Sequence, residues 1–375
     1  MSKITKIIPY GRQSIDQLDI AAVVKVLKSD YLTTGPKIAE FENALAKYCG
    51  AKYAVVACNG TAALHLAYEA VGLGSGDEVI TTPNTFVATT NMVLNVGAKP
   101  IFCDIRNDTY NINEDKIEKL ITKKTKAIVP VHFAGHPCEM KKIRKIATKH
   151  HLLVIEDACH ALGAKYCGSR IGSCQFSDLT VFSFHPVKSI TAGEGGAILT
   201  NNRQYYEKMK LLRSHGIQKD KNGFNVMLEM GFNYRLTDFQ AALGINQLKK
   251  IDKFINKRHK LVELYKNELI ECSQIILPSE MEGILSSWHL FVIRTKKVQD
   301  RLPLYKFLLK NSIGVNFHYP VIYNHPYYQK NIVNKNGCNF AELYEKTAIT
   351  LPLYPLMTKV EIKFISDKIK DFFKK

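Results

Sequence analysis

The chain has 375 residues, 46% hydrophobic and 23% charged, with 22 Gly and 13 Pro. This composition excludes a disordered, collagen-like or stapled mini-protein and predicts two domains, or one large domain with an appendage. The formal net charge of +18 raises the question of nucleic acid, but the excess is Lys spread in small clusters such as Lys123-Lys124 and Lys249-Lys250, which read as solvated helix faces, so no nucleic-acid partner is expected.

No apolar run nears the roughly 18 residues that span a bilayer, and the opening MSKITKIIPYGRQSID carries too short an apolar stretch for a signal peptide. The expectation is a cytoplasmic protein without a membrane partner. Nine Cys, an odd number with no C-x-x-C pair, read as reduced thiols.

From about residue 50 to 200, short apolar runs alternate with amphipathic stretches. The runs are Tyr53-Ala57, Glu78-Thr82, Pro100-Asp104, Ala127-Val131, Leu152-Glu156 and Thr180-Phe184, and helices are expected to begin near Thr61, Phe86, Glu114, Glu139 and Gln204. This alternation predicts an α/β fold with a mainly parallel sheet covered on both faces. In such a sheet ligands bind beyond the carboxyl ends of the strands.

Asn59-Gly60-Thr61-Ala62 follows the first of these strands and opens a helix, whose free N–H groups and dipole suit an anion. Ordinary helix capping predicts the same letters. Phe86, after the next strand, can stack on a planar ring or belong to the core. His132 and His136 have metal-pair spacing, but their segment contains Gly and then Pro137 after a strand, so a loop and no metal are expected.

Asp157 stands at the end of an apolar strand, where a carboxylate can pair with a protonated pyridine nitrogen; strand alternation turns its neighbour Glu156 the opposite way. The strand that ends in Val181-Phe-Ser183-Phe delivers Lys188 into an apolar, Gly-rich neighbourhood, where desolvation would leave an amine free to form a Schiff base. Ser183 can turn its hydroxyl toward the same anion as Thr61.

A helical pattern without internal Pro from Leu236 to about Leu269 predicts one long helix or two abutting ones. Beyond it, Ser287-Thr295 and Gly314-His318 read as strands, and Leu302-Leu309, Phe340-Thr347 and Val360-Phe373 as helices. The expected division is a large domain over 1–250 with an N-terminal arm, and a smaller α/β domain over 251–375.

Taken together, Asn59-Gly-Thr-Ala-Ala63, Thr85-Phe-Val-Ala-Thr89, Asp157-Ala-Cys-His160, Ser183-Phe-His-Pro-Val-Lys188 and Gly231-Phe-Asn-Tyr-Arg235-Leu-Thr-Asp238 resemble the DegT/DnrJ/EryC1/StrS family of sugar aminotransferases. The resemblance runs from Leu32-Thr-Thr-Gly35 to Leu351-Pro-Leu353. It implies the type I aminotransferase fold dependent on pyridoxal phosphate (PLP), with a seven-stranded sheet domain, and a homodimer. Lys188 would carry PLP and later the proton, Asp157 would pair with its ring nitrogen, Phe86 would stack on the ring and His160 would lie beside it. Gly60, Thr61, Ala62 and Ser183 would hold the phosphate, joined by Asn233 across the dimer interface. Tyr10, Asp30, Tyr31, Leu32, Thr33, His185, Arg235, His318 and Tyr319 would meet the sugar nucleotide.

The members it resembles most transfer an amino group from an amino acid such as L-glutamate, through pyridoxamine phosphate, to C4 of a UDP-linked 4-keto-6-deoxy-N-acetylhexose in pseudaminic acid biosynthesis. Ser287-Trp-His-Leu-Phe-Val-Ile-Arg294 is closer to members that aminate a UDP-linked 4-keto-pentose, and a dTDP-linked 4-keto-6-deoxyhexose stands as a further alternative. A non-catalytic regulatory relative is the alternative from another class, against which Lys188, Asp157 and Ser183 speak.

Overall fold

A computed structural model describes residues 7–331 and 337–374; the first six residues of the opening stretch considered above lie outside them. Seven apolar strands form the central sheet: β1 (Tyr53–Ala57), β2 (Glu78–Thr81), β3 (Lys99–Phe102), β4 (Thr125–Val129), β5 (Leu153–Asp157), β6 (Leu179–Ser183) and β7 (Gly196–Thr200). Their order is β1-β7-β6-β5-β4-β2-β3. Every pairing among β2 to β6 is parallel, and β7 runs antiparallel to both β1 and β6. Six strands therefore point their carboxyl ends to one edge, and the reversed β7 begins there.

Two apolar layers cover the sheet, as near-continuous apolar strands require. One holds Phe41, Leu45, Met140, Ile143, Phe182, Phe184 and Ile255; the other holds Leu64, Leu66, Tyr68, Val93, Met209 and Leu212. After α1 (Gln17–Leu27), the helices that supply them are α2 (Pro36–Cys49), α3 (Gly60–Ala70), α4 (Val87–Asn95), the single turn α5 (Glu114–Ile117), α6 (Met140–Lys149) and α7 (Arg203–Arg213). Local chemistry fixes their starts: Asp16 forms a capping box with Asp19, Asn59 Oδ1 accepts from the Ala62 N–H at 2.8 Å, and Pro36 opens α2.

The apolar pattern that begins at Leu236 resolves into two abutting helices, α8 (Asp238–Leu248) and α9 (Ile251–Leu269). Before them projects an exposed hairpin, β8 (Ile217–Lys219) with β9 (Asn225–Met227). After them comes a three-stranded antiparallel sheet of β10 (Ile275–Ile276), β11 (Phe291–Thr295) and β12 (Ala348–Leu351). The helices α10 (Val298–Lys310), α11 (Pro326–Asn331), α12 (Asn339–Glu345) and α13 (Lys359–Phe373) complete this region.

Two expectations are corrected. Ser287–Leu290 precede the strand instead of opening it, because Trp288 adopts a left-handed φ of 46° and the Ser287 N–H donates to Gly135 C=O. Gly314–His318 form no strand; they hold only an isolated bridge between Asn316 and Thr350. Ile8 is buried in the core of the three-stranded sheet, and the Leu353 N–H donates to Tyr10 C=O at 3.1 Å, so the start of the chain is tied to its distant end. No helix among the described residues is long and apolar enough to cross a membrane, and no group of three or more His, Cys, Asp or Glu among them could hold a metal ion.

Candidate active site

At the edge where β1, β2, β4, β5 and β6 end lies a cavity of about 520 Å³. Of the residues singled out from the sequence, it gathers Tyr10, Gly60, Thr61, Phe86, Asp157, His160, Ser183, His185, Lys188, His318 and Tyr319. Most arrive from the end of a strand or the start of a helix, whereas Tyr10, His318 and Tyr319 come from irregular segments.

The anion-binding corner is built from β1, α3 and β6. Gly60 opens α3 against Ser183 so closely that a Cβ on the glycine would lie 2.9 Å from the Ser183 Cβ and 3.1 Å from its Oγ. That approach brings the first turn of α3, the Thr61 side chain and the Ser183 hydroxyl to one wall. A helix start with hydroxyl donors beside it suits a phosphate.

β5 supplies the carboxylate. Asp157 is buried; its Oδ2 accepts from Thr89 Oγ1 at 2.6 Å and its Oδ1 from the Cys159 N–H at 3.2 Å. Glu156 turns to the opposite side of the strand, as alternation requires, where His132 Nε2, Thr180 Oγ1 and the Ser177 hydroxyl surround it. Burial would push the Glu156 carboxyl up, but these partners hold it below its ordinary value. Thus one acid of the pair faces the cavity and the other is internally satisfied.

Lys188 follows β6. Its N–H donates to His185 C=O at 2.9 Å, closing a turn that lifts the side chain into the cavity. The side chain is open to the cavity yet has enough protein around it that desolvation lowers its pKa, against the opposing pull of Cys159, Asp157 and Glu194. An amine so placed is available as a nucleophile or proton carrier nearer neutral pH than a surface Lys.

The far wall is aromatic. Tyr319 Oη lies 3.1 Å from His160 Nε2, the two rings stack with centroids 6.0 Å apart, and Phe86 stands 5.9 Å from Tyr319. His318 bonds Thr350 Oγ1 through Nδ1 at 2.8 Å and faces Tyr10 at 5.5 Å. Burial drives the His160 pKa well below the ordinary value, with Lys188 and His318 adding to the effect, and lowers that of His318 to about 3. Both imidazoles are neutral at physiological pH. His289 lines the same wall with its centroid 4.5 Å from that of His160, and is held neutral chiefly by burial.

Seven predicted residues lie outside the cavity lining. Ala62 is buried in the first turn of α3, its amide engaged by Asn59. Asp30, Tyr31, Leu32 and Thr33 are exposed, with the Leu32 C=O holding the Asp238 N–H and Thr33 bridging Thr237. Asn233 is exposed in the segment between the hairpin and α8, and Arg235 is half-buried beside it. Phe232 and Tyr234 stack at 4.8 Å on either side of Asn233, and the Tyr234 C=O accepts from the Cys58 N–H, so the segment is braced while the Asn233 side chain points outward.

Sequence reading missed Thr89 and His289. Thr89 stands inside a quoted motif, yet its partner Asp157 is 68 residues away. His289 becomes a cavity residue only because the Trp288 turn precedes β11.

The residues present fit PLP on the chain's own geometry: an anion-binding corner that a Cβ at Gly60 would fill, a buried carboxylate at a strand end, and an amine with a depressed pKa. The chain matches the model of the DegT/DnrJ/EryC1/StrS aminotransferase family over residues 13–370. It is 41% identical over 373 residues to the UDP-4-amino-4,6-dideoxy-N-acetyl-β-L-altrosamine transaminase of Campylobacter jejuni subsp. jejuni, covering 98% of each chain. Helicobacter pylori PseC, an aminotransferase involved in the biosynthesis of pseudaminic acid, superposes with a TM-score of 0.95 at 36% identity, covering 98% of this chain and 100% of that one. The PLP form of the Streptococcus pneumoniae putative sugar aminotransferase Spr1654 superposes with a TM-score of 0.93 at 28% identity, covering 98% and 99%.

Proposed function

The chain belongs to the DegT/DnrJ/EryC1/StrS aminotransferase family and is a PLP-dependent aminotransferase; from that premise we propose that it moves an amino group from L-glutamate to C4 of a UDP-linked 4-keto-6-deoxy-N-acetylhexose. The observation that carries the reading is the convergence of Lys188, Asp157, Ser183 and the start of α3 on one cavity.

In this reading the first turn of α3, Thr61 and Ser183 bind the cofactor phosphate. The Phe86 ring would cover one face of the pyridine, with His160 beside it. PLP supplies an electron sink and holds the amino group between the two half-reactions. Asp157 faces the ring nitrogen and favours its protonated form by charge and hydrogen bonding.

Lys188 takes the proton from the α-carbon of the amino acid and, in the second half-reaction, delivers one to C4 of the sugar. A single amine can serve both directions because burial lowers its pKa and makes its neutral form more accessible than that of a surface Lys. Tyr10, His185, His318 and Tyr319 form the sugar end of the cavity, with imidazoles and hydroxyls suited to the hydroxyl and amide groups of an N-acetylhexose. Asn233, exposed on its own chain, completes the phosphate site of a second copy, and Asp30–Thr33 and Arg235 approach the nucleotide from the same interface. The proposed enzyme works in the cytoplasm as a homodimer.

The deciding experiment feeds the purified protein L-glutamate and a panel of UDP- and dTDP-linked 4-keto sugars, with products read by mass spectrometry. A 4-amino product from the UDP-N-acetylhexose alone is the expected result. Preferential amination of the UDP-4-keto-pentose would favour the reading suggested by Ser287–Arg294.

A further inference from the structure

We propose that Thr89, backed by Thr85, is a positioning residue that holds the Asp157 carboxylate aimed at the cofactor's ring nitrogen; this rests on the role read for Asp157 above. Thr85 Oγ1 lies 2.7 Å from Thr89 Oγ1, which in turn lies 2.6 Å from Asp157 Oδ2. All three side chains are buried, with exposures of 1%, 0% and 5%.

The direction of the chain follows from counting protons. An ionised carboxylate has none to give, so the Thr89 hydroxyl donates to Asp157 and accepts from Thr85 through its free lone pair. With the Cys159 N–H on Oδ1, each carboxylate oxygen has one donor from the protein. Donors directed at a buried carboxylate favour its charged form against the desolvation that opposes it.

Thr89 is itself held in place. Its N–H donates to Phe86 C=O at 3.2 Å, and its own C=O accepts from the Tyr68 hydroxyl at 3.1 Å. The adjacent Thr90 serves a different partner, Tyr328, whose hydroxyl lies 2.6 Å from Thr90 Oγ1. The first turn of α4 thus presents Phe86 to the cavity and Thr89 to the carboxylate, coupling the ring-stacking residue and the aim of Asp157 in one rigid element.

Without the Thr89 donor, Asp157 Oδ2 loses its hydrogen bond from the protein, and the carboxylate is less well held toward the ring nitrogen. The ring then loses positive charge and becomes a poorer electron sink. A merely structural Thr89 would change stability and leave the ring nitrogen's proton where it is.

The test loads Thr89→Val, Thr89→Ser, Thr85→Val and Asp157→Asn with PLP labelled with nitrogen-15 in the ring and reads the ring nitrogen's chemical shift, alongside single-turnover kinetics with L-glutamate. Thr89→Val is expected to move the shift toward the unprotonated value and slow the half-reaction roughly 10- to 100-fold, the range for one hydrogen bond to a charged group. Thr89→Ser, which keeps the hydroxyl, should match the unmodified enzyme, and Thr85→Val should move the shift the same way by less. Asp157→Asn moving the shift while Thr89→Val leaves it unmoved overturns the inference alone. An unmoved shift in Asp157→Asn overturns the reading of Asp157 itself. Should Thr89→Val fail to fold, a displaced ring-nitrogen shift in Thr89→Ser would overturn the proposal, and so would an unmoved shift in Thr85→Val.

Discussion

Gly60 and Ser183 come from different elements, a helix start and a strand end, yet leave no room between them for a methyl group. An added Cβ must displace β6 or α3, because the atom it meets is a Cβ on a central strand and not the tip of a flexible side chain. Gly60→Ala is therefore expected to weaken PLP binding at least tenfold, about 1.4 kcal/mol, while Ser183→Ala, which removes one donor without crowding, should weaken it less. Fluorescence titration of apoprotein with PLP would measure both, and equal affinity in Gly60→Ala and the unmodified protein would show that the corner does not bind the phosphate.

Lys188 is expected to be the residue that borohydride reduction fixes to the cofactor, and Lys188→Ala to abolish transamination. Burial lowers its pKa, so in the apoprotein its neutral fraction at a given pH exceeds that of a surface Lys. Reductive methylation with carbon-13 formaldehyde, followed by NMR across pH, should show its titration displaced to lower pH. Glu194→Gln removes one of the charges that oppose burial and should displace it further down.

Asn233 lies outside the cavity of its own chain, on a segment braced by Phe232, Tyr234 and the Cys58 N–H. If it serves a second copy, mixing Lys188→Ala with Asn233→Ala under subunit exchange should raise activity above that of either parent. One site of each mixed dimer then holds both residues, since a two-fold interface is reciprocal. Demonstrated heterodimers without recovery would remove Asn233 from the partner's site.

His318 carries a pH-dependent stability. Its folded pKa of about 3, against an ordinary 6.5, means that the unfolded chain binds more protons between these values. Stability is thus lost as pH falls through that window. His318→Asn keeps a partner for Thr350 and cannot titrate, so its stability relative to the unmodified protein should improve by on the order of 3 kcal/mol between pH 6.5 and 4. Urea unfolding at the two pH values measures the difference; a constant gap would mean that His318 does not stay neutral in the fold.

The central sheet was legible because strands buried on both faces must be apolar throughout, and β1 falls on the residues read for it. β4 and β5 shift by one or two residues because apolar letters do not mark where a ladder ends. The hairpin at Ile217–Met227 went unread: its residues are exposed and largely polar, without the alternation that half-burial imposes. Asp157 and Ser183 could be read because each sits at a strand end that the pattern already located, and Lys188 because it follows one of them by a short turn. Thr89 and His289 could not, because their significance lies in neighbours that only the tertiary fold brings near. The break between α8 and α9 at Lys249-Lys250 carries no Pro or Gly to announce it.

The tie between Tyr10 and Leu353 bears on how the enzyme matures. Ile8 donates to Ser312 C=O and accepts from the Gly314 N–H, and Tyr10 receives the Leu353 N–H, contacts spanning more than 300 residues. Contacts between such distant positions form late, because the intervening loop must first be closed. During synthesis the amine, the carboxylate and the phosphate corner all emerge long before Leu353 does. The hydrogen bond that ties Tyr10 to Leu353 can close only after Leu353 has been made, so in synthesis the residues of the cofactor corner precede the completion of the wall that carries Tyr10.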